Sequence, residues 1–323
     1  MGTALRQSAE GPVAGIGLLW LLAGRGHLHR AANRHNLHDA YLRTWQRLLL
    51  NAARLEYRDF PSGPVSAFGD DIDTARTGYW LHADLVHLAA GLDRLTFLPL
   101  TGAAAVTAAE REALMPLIAD HLQGSSLHLQ PGASGQWFLR SQRSLDLHTV
   151  SPEAAAAIEL ETAMPSGPDA REVRLAMTEC QMLLHDHPVN ERRQRRGLPP
   201  INALWPWGGG TLKPQSVGSL PRMFSNDTFV RGLYRNHSQE ISASSPAATL
   251  IEHAVPKRAV IAVVEVDTPA RLEAEWIEPL VAALRSGHIR QLDLFLDEWQ
   301  ILATRRMLRR FWRKPSPPSA WPT

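Results

Sequence analysis

The sequence predicts an α/β protein, on three observations. Residues 259–266 (AVIAVVEV) form an apolar, β-branched run that suits a strand buried on both faces. A helix over 271–285, a strand over 292–296 and a helix reaching Trp312 follow it, and this alternation argues for a sheet covered by helices. The 323 residues are 44% hydrophobic and 20% charged, which is globular and enough for about two domains, or one large domain with an insertion.

Residues 11–23 (GPVAGIGLLWLLA) are apolar and bounded by Arg25. Glu10 precedes them and no small-residue cleavage pattern follows. They read as a buried helix with Leu18, Leu19, Leu21 and Leu22 toward the core, not as a secretory signal, so the expected location is cytoplasmic. Leu42, Trp45, Leu48 and Leu49 recur at helical spacing and place a helix over 39–57. Residues 61–77, with Pro61, Gly63, Pro64, Gly69 and the acidic triplet Asp70, Asp71 and Asp73, predict a loop. Residues 79–88 and 94–98 read as a hairpin turning at 91–93. Thr107 with Glu110 makes a capping box for a helix through His121, with Leu114, Leu117 and Ile118 as its apolar face. Residues 137–140 read as a strand. Ser151 followed by Pro152 opens a short Ala-rich helix. Asp169 starts the strongest helix, whose stripe of Val173, Met177, Cys180, Leu183 and Leu184 ends near His187 and Pro188. Cys180 in that stripe reads as an inert buried thiol. Residues 201–207 suit a short strand, and the Pro/Ser-rich 315–323 a loose tail.

Composition excludes several classes. Lys+Arg is 34 against Asp+Glu 32, a net +2, so charge alone implies no nucleic-acid partner. No apolar run approaches the ~20 residues of a membrane span, and no membrane association is expected. One cysteine, Cys180, excludes an intrachain disulfide and a Cys-rich zinc site. Lys213, Lys257 and Lys314 are the only lysines against 31 arginines, and arginine is the better fork for carboxylate and phosphate.

The densest stretch is 185–210, HDHPVNERRQRRGLPPINALWPWGGG. Arg192, Arg193, Arg195 and Arg196 cluster after Pro188. Gly197 and the pair Pro199 and Pro200 make a stiff turn. Gly208, Gly209 and Gly210 allow close approach of backbone to a ligand or to a packed neighbour. Backbone amides of such a loop can hold an anion, and nearby arginines can grip phosphate bidentately. The glycines lack the spacing of a P-loop or dinucleotide fingerprint, so Trp205 and Trp207 can equally be core, and the arginines a solvated surface.

This stretch resembles the HPVN–basic–RG–PP–N–apolar–GxG segment of the archaeal-type cofactor-independent phosphoglycerate mutases of the alkaline phosphatase superfamily. It is more similar still to a bacterial group of phosphoglycerate-mutase-like, or RpfE-type, regulatory proteins. WLHADLVHL (80–88), LDRLTFL (92–98), PGASGQWFLR (131–140) and QMLLHDHPVN (181–190) carry the resemblance further. It implies an alkaline-phosphatase-like three-layer α/β/α core built from 1–76 and 187–323, with a smaller α/β insertion at 77–186. Active members use two divalent metals held by Asp and His, and a Ser nucleophile. This chain departs from them. Its N-terminus shows no strand with an Asp-Gly metal motif. Glu265, Asp267, Asp293, Asp297 and Glu298 follow or lie in the C-terminal strands without an adjacent histidine, His288 being the nearest. Trp207 stands where the archaeal enzymes carry an Arg before GxG.

Other constellations are weaker. His27, His29, His35 and His38 could ligate a metal, with Asp39 the only nearby acid, or lie on a surface helix. His185 and His187 suit a helix end. Asp70, Asp71 and Asp73 could hold a hard cation, but lack the glycine and closing glutamate of an EF-hand. No G-x-S-x-G is present. Arg305, Arg306, Arg309, Arg310, Arg313 and Lys314 form a basic C-terminal helix that reads as solvated.

The resulting expectation is a phosphoglycerate-mutase-like protein that has lost catalysis and binds a phosphoester or other anion, or regulates, without a cofactor. The expected ligand residues are Asn190, Arg192, Arg196, Asn202, Trp207, Gly208, Gly209 and Gly210. A protein partner through the insertion or the C-terminal helix is also open. The alternative is a manganese- or zinc-dependent phosphoglycerate mutase or phosphomonoesterase with ligands among Asp70, Asp71, Asp84, His87, Asp267 and Asp293.

Overall fold

A computed structural model describes residues 16–22, 46, 49–50, 61–90, 95–213, 220–244, 246–254, 259–265, 269–296 and 299–308. It is a mixed α/β structure with two five-stranded sheets. Sheet A runs in the order β10 (Trp299–Thr304), β9 (Gln291–Leu296), β1 (Ile16–Leu22), β8 (Ala259–Glu265), β7 (Arg222–Phe224). Only β7 and β8 are parallel; β1 is antiparallel to both its neighbours, Leu19 facing Ala262 on one side and Leu294 on the other. Sheet B centres on the long β2 (Tyr79–Ala90). Its first half pairs β5 (Trp137–Ser141), which carries β4 (Leu127–Pro131), and its last residues pair β3 (Leu95–Leu98). β6 (Ala203–Gly210) also pairs β2. Among the described residues β6 has no other strand partner, an edge position in which Pro206 is tolerated.

The expected buried helix at 11–23 is a strand, β1. An unbroken apolar run gives no period to separate a buried helix from a strand buried on both faces, and the two neighbouring ladders decide. β1 is thus an N-terminal strand, and it carries no Asp-Gly motif. The loop expected at 61–77 is instead a helix, α1 (Ser62–Gly69), followed by a short 3-10 turn (Asp73–Arg76). All eight residues of α1 are buried. Its Gly and Pro residues look like loop punctuation but serve other ends: Pro64 sits in the first turn, where it removes no helical bond, and the glycines admit neighbouring backbone. The helix expected after β9 is preceded by β10.

Most other elements match the sequence reading. The β2–β3 hairpin is present, its turn lying outside the described residues. α2 (Ala108–Leu122) opens on the Thr107–Glu110 capping box. Ser151 accepts from the Ala154 amide to cap the short helix Pro152–Ala156. α3 (Ala170–His185) buries Val173, Met177, Cys180 and Leu184. β8 is buried on both faces: Ile261 and Val263 join one cluster, Val260, Ala262 and Val264 another. α6 (Glu278–Ser286) ends on Gly287 with φ 88°. Among the elements that sequence reading missed are β4, β7, the short helices Leu160–Ala163 and Ala247–Glu252, and the helix α5 (Thr228–Asn236), capped by Asp227. Of the helix expected over 39–57, the described residues are Gln46, Leu49 and Leu50, all helical and buried. The histidines at 27, 29, 35 and 38, the tail and the basic residues beyond 308 lie outside the described residues.

Three clusters organise the interior. One lies between sheet B and helices α2 and α3. A second joins α1 and α5 to Trp80 and Phe138 of sheet B and to Met223, Ile261 and Val263 of sheet A. The third covers the other face of sheet A with α6 and the short helix Ala247–Glu252. α1 and α5 cross closely because a Cβ on Gly69 would stand 1.8 Å from the Thr228 carbonyl oxygen, and one on Gly232 1.8 Å from that of Val65. No helix among the described residues is long and apolar enough to cross a membrane.

Candidate functional site

The arginine-rich stretch folds into a helix, α4 (Pro188–Arg195), which the sequence reading did not assign. His187 caps it, Nδ1 accepting from the Val189 amide at 3.2 Å. The side chains along 187–202 then clip α4 to the turn and strand on its C-terminal side. Asn190 is 2% exposed; its Nδ2 donates to the carbonyls of Leu184 and Ile201, and its Oδ1 accepts from the Ile201 amide, all at 2.7 Å. Arg193 is 1% exposed; it donates to both oxygens of Glu110 at 3.1 and 3.0 Å and, through Nε, to the Pro199 carbonyl at 2.8 Å. Asn202 extends the β2 ladder: its Oδ1 accepts from the Leu88 amide at 2.7 Å and its Nδ2 donates to the Leu88 carbonyl at 2.9 Å. Asn190 and Asn202, expected to face a ligand, spend their amides on the chain's own backbone.

The four arginines divide. Arg193 is buried in its ion pair, and Arg195 pairs with Glu191 at 3.1 Å. Arg192 and Arg196 are exposed and make no ion pair among the described residues. They stand four positions apart, Arg192 within α4 and Arg196 at its C-cap. Arg192 is close enough to His187 that its charge, with the larger effect of burial, holds that imidazole below its ordinary pKa.

The glycines lie at the far end of β6. Ala203 and Gly208 are about 17 Å apart along an extended strand at ~3.3 Å per residue. Gly208 has φ 65°, and a Cβ there would meet the Ser62 hydroxyl at 2.0 Å; on Gly209 it would meet the Tyr79 hydroxyl at 2.3 Å, and on Gly210 the Pro61 Cβ at 2.4 Å. The neighbour that these glycines admit is α1 and β2. Trp207 is 1% exposed, stacks on His82 with ring centroids 4.2 Å apart, and donates from Nε1 to Asp84 at 3.0 Å.

Around Gly208 the fold thus gathers polar groups that sequence reasoning did not single out. Ser62 is the first residue of α1 and wholly buried; His82 is 5% exposed, its Cδ2 3.3 Å from the point a Gly208 Cβ would occupy. The signal that could have found them is the small-residue pattern SGPVSAFG opposite WGGG, which reads as two backbones in close approach.

The two-metal chemistry implied by the resemblance can be tested on the side chains it would need. Asp70 accepts from the amide and hydroxyl of Ser134 at 2.8 and 2.7 Å. Asp71 pairs with Arg231 and Arg235, each at 2.9 Å, and Asp73 with Arg235 at 3.5 Å. Asp84 accepts from Trp207, and burial holds the His87 imidazole below its ordinary pKa. Asp267 lies outside the described residues, and Asp293 sits mid-strand in β9. Among the described residues no three His, Cys, Asp or Glu side chains are grouped to hold an ion. Cys180 is buried, and burial pushes its thiol up to about 12.

No protein-family model matches the chain. A segment of 59 residues, 18% of the chain, is 41% identical to 2,3-bisphosphoglycerate-independent phosphoglycerate mutase of Methanothrix thermoacetophila, covering 14% of that protein. A segment of 108 residues, 33% of the chain, is 26% identical to the protein of the same description from Methanosarcina barkeri, covering 27% of it. The matches thus span about a quarter or less of these relatives' length. Among solved structures, the cofactor-independent phosphoglycerate mutase from Thermoplasma acidophilum aligns over 85% of this chain and 74% of its own, at 17% identity and TM-score 0.35. The PH0037 protein from Pyrococcus horikoshii aligns over 78% and 60%, at 16% identity and TM-score 0.37. The sequence matches make this chain a distant homologue of the archaeal-type cofactor-independent phosphoglycerate mutases.

Proposed function

We propose that this protein is a phosphoglycerate-mutase-like protein, of the RpfE-type bacterial group, that binds a phosphoester or similar anion without turning it over and acts in regulation. The observation that carries the reading is the division among the four arginines. Two are consumed by Glu110 and Glu191, and two, Arg192 on α4 and Arg196 at its C-cap four positions on, make no ion pair among the described residues. Guanidinium forks so spaced can share one tetrahedral oxyanion. No chemistry is assigned to them. Isothermal titration with 3-phosphoglycerate and related phosphoesters is the test: heat of binding is expected, and it should vanish in Arg192→Ala/Arg196→Ala. No heat with any phosphoester would overturn the reading.

The same reading takes the chain as an alkaline-phosphatase-like three-layer core with an insertion at 77–186. Helices on both faces of sheet A support it, as does the chain's excursion into sheet B between β1 and β7. β6, which follows residue 186, nonetheless pairs β2 of the inserted segment.

A second reading is a phosphomonoesterase or mutase. Ser62 beside His82 at the start of α1 favours it, because a helix N-terminus suits an anion and an imidazole can take a hydroxyl proton. Against it, Ser62 has no exposure and its neighbours close over it. Manganese-dependent phosphoester turnover that chelation abolishes would decide for this reading.

A further inference from the structure

α3 turns one face to solvent. At 3.6 residues per turn, Arg171, Arg174, Leu175, Thr178, Met182 and His185 fall within a sector of about 100°, all exposed. The opposite side, with Val173, Met177, Cys180 and Leu184, is buried in sheet B's core. Leu175 is 56% and Met182 66% exposed, and Leu98 is the only other large apolar side chain so open among the described residues. Thr178 spends its hydroxyl on the Arg174 carbonyl at 2.9 Å, so the centre of the face asks for no polar partner. Its rim is cationic. Arg171 and Arg174 make no ion pair among the described residues. The helix's own carboxylates lie off this sector and are engaged: Glu172 with Ser126 and Arg143, Glu179 with His121. The first carboxylate at the face is Asp186, at the helix end beside His185.

We propose that this face docks an acidic amphipathic segment of a protein partner. Leu175 and Met182 are two turns apart, about 10 Å at 1.5 Å rise per residue. That spacing matches apolar anchors at i and i+7 of a helix laid alongside. The partner's flanking carboxylates would meet Arg171 and Arg174, and these arginines disfavour basic partners by repulsion. A lipid surface fits less well, because a membrane-lying helix presents a continuous apolar stripe with aromatic or leucine side chains, and this face offers two apolar side chains.

The test uses the whole chain and a fluorescein-labelled acidic amphipathic peptide with leucines at i, i+4 and i+7 and flanking glutamates, read by fluorescence anisotropy. Saturable binding is expected, weakened roughly tenfold by Leu175→Gln, by Met182→Gln and by Arg171→Glu/Arg174→Glu. The charge-reversed double variant should instead bind the lysine version of the peptide. All these side chains are exposed, so melting curves should match the parent, and phosphoester titration should be unchanged in the two Gln variants. No binding of the acidic peptide, or binding indifferent to Met182→Gln, overturns the proposal. So does sedimentation with phosphatidylserine vesicles that Met182→Gln abolishes while the peptide stays unbound.

Discussion

At the scale of single residues, backbone proximity dominates this molecule. Gly208 combines φ 65° with a would-be Cβ 2.0 Å from the Ser62 hydroxyl. Gly208→Ala therefore meets both backbone strain and overpacking, and should cost roughly 2–5 kcal/mol. Gly135 is the control: its φ is 84°, yet nothing lies within 4 Å of its missing Cβ, so Gly135→Ala should cost only about 1 kcal/mol. Urea midpoints of the two variants check the contrast, and equal losses would mean that packing at Gly208 is not the cause. The sequence left open whether the three glycines admit a ligand or a neighbour, since both demand the same absence of a side chain; only the path of α1 separates them. A different residue-scale property is the burial of His237 at the end of α5. It is 5% exposed, neither ring nitrogen has a hydrogen-bond partner among the described residues, and burial holds its pKa below the ordinary 6.5. A depressed imidazole pKa contributes stability that is present above 6.5 and lost as pH falls toward the folded-state value, because the unfolded chain binds the proton first. His87 and His187 shift the same way, each chiefly by burial. Stability should therefore decline with acidification below 6.5, and the decline should be shallower in His237→Phe, measured by denaturant titration across pH 5–7.5.

At the scale of elements, the 187–210 stretch is a mechanical join. Asn190, Arg193 and Asn202 tie α3, α4, the Pro199–Pro200 turn and β2 together, and Arg193 carries the tie across to α2 through Glu110. Glu110 is used twice, since it also accepts from the amide and hydroxyl of Thr107 at 2.8 and 3.0 Å. Removing one partner of such a buried pair strands the other charge, so Arg193→Met should cost about 3–5 kcal/mol, with part recovered in Arg193→Met/Glu110→Leu. Burial works to raise the Glu110 pKa, but the Thr107 bonds and the Arg193 guanidinium outweigh it and hold it below the ordinary 4.5. The pair's contribution is thus present above that value and lost as pH falls through the depressed one. Glu110→Gln should flatten the acid limb of the stability profile while keeping the α2 cap. The elements legible beforehand were those with a local signature: the capping box at Thr107, the Ser151 and Pro152 start, the α3 stripe and the two-faced β8. Those missed depended on distant partners. β1 has no period of its own, α1 is written in residues that usually break helices, and the polar α4 has no apolar stripe. The candidate site fared similarly. The stretch carrying the resemblance was legible, but which of its arginines are spent was set by Glu110, eighty-three positions away in sequence.

At the scale of the whole molecule, the two sheets differ in how far apart their pieces lie along the chain. Sheet B is assembled within residues 79–210, and its principal core draws only on that span. Sheet A pairs Ile16 with Glu265 and Leu22 with both Ala259 and Gln291, so β1 enters between strands made near the other end of the chain. Closing loops of that length is an entropic cost that must be met before the contacts stabilise anything, and long-range pairing is correspondingly slow. Sheet B should therefore form first, with α1 seated on it through Gly63 and Gly208, and offer α5 and then sheet A a surface to condense on. Pulsed hydrogen exchange during refolding tests this order. Amides of β2 and β5 should gain protection in an early phase and those of β1 and β8 in a later one. Gly232→Ala, which drives a Cβ into the Val65 carbonyl where α5 crosses α1, should slow the later phase and leave the earlier one intact. Simultaneous protection of β2 and β8, or a Gly232→Ala effect confined to the early phase, would show that the sheets fold as one unit and that the α1–α5 crossing is not the step joining them.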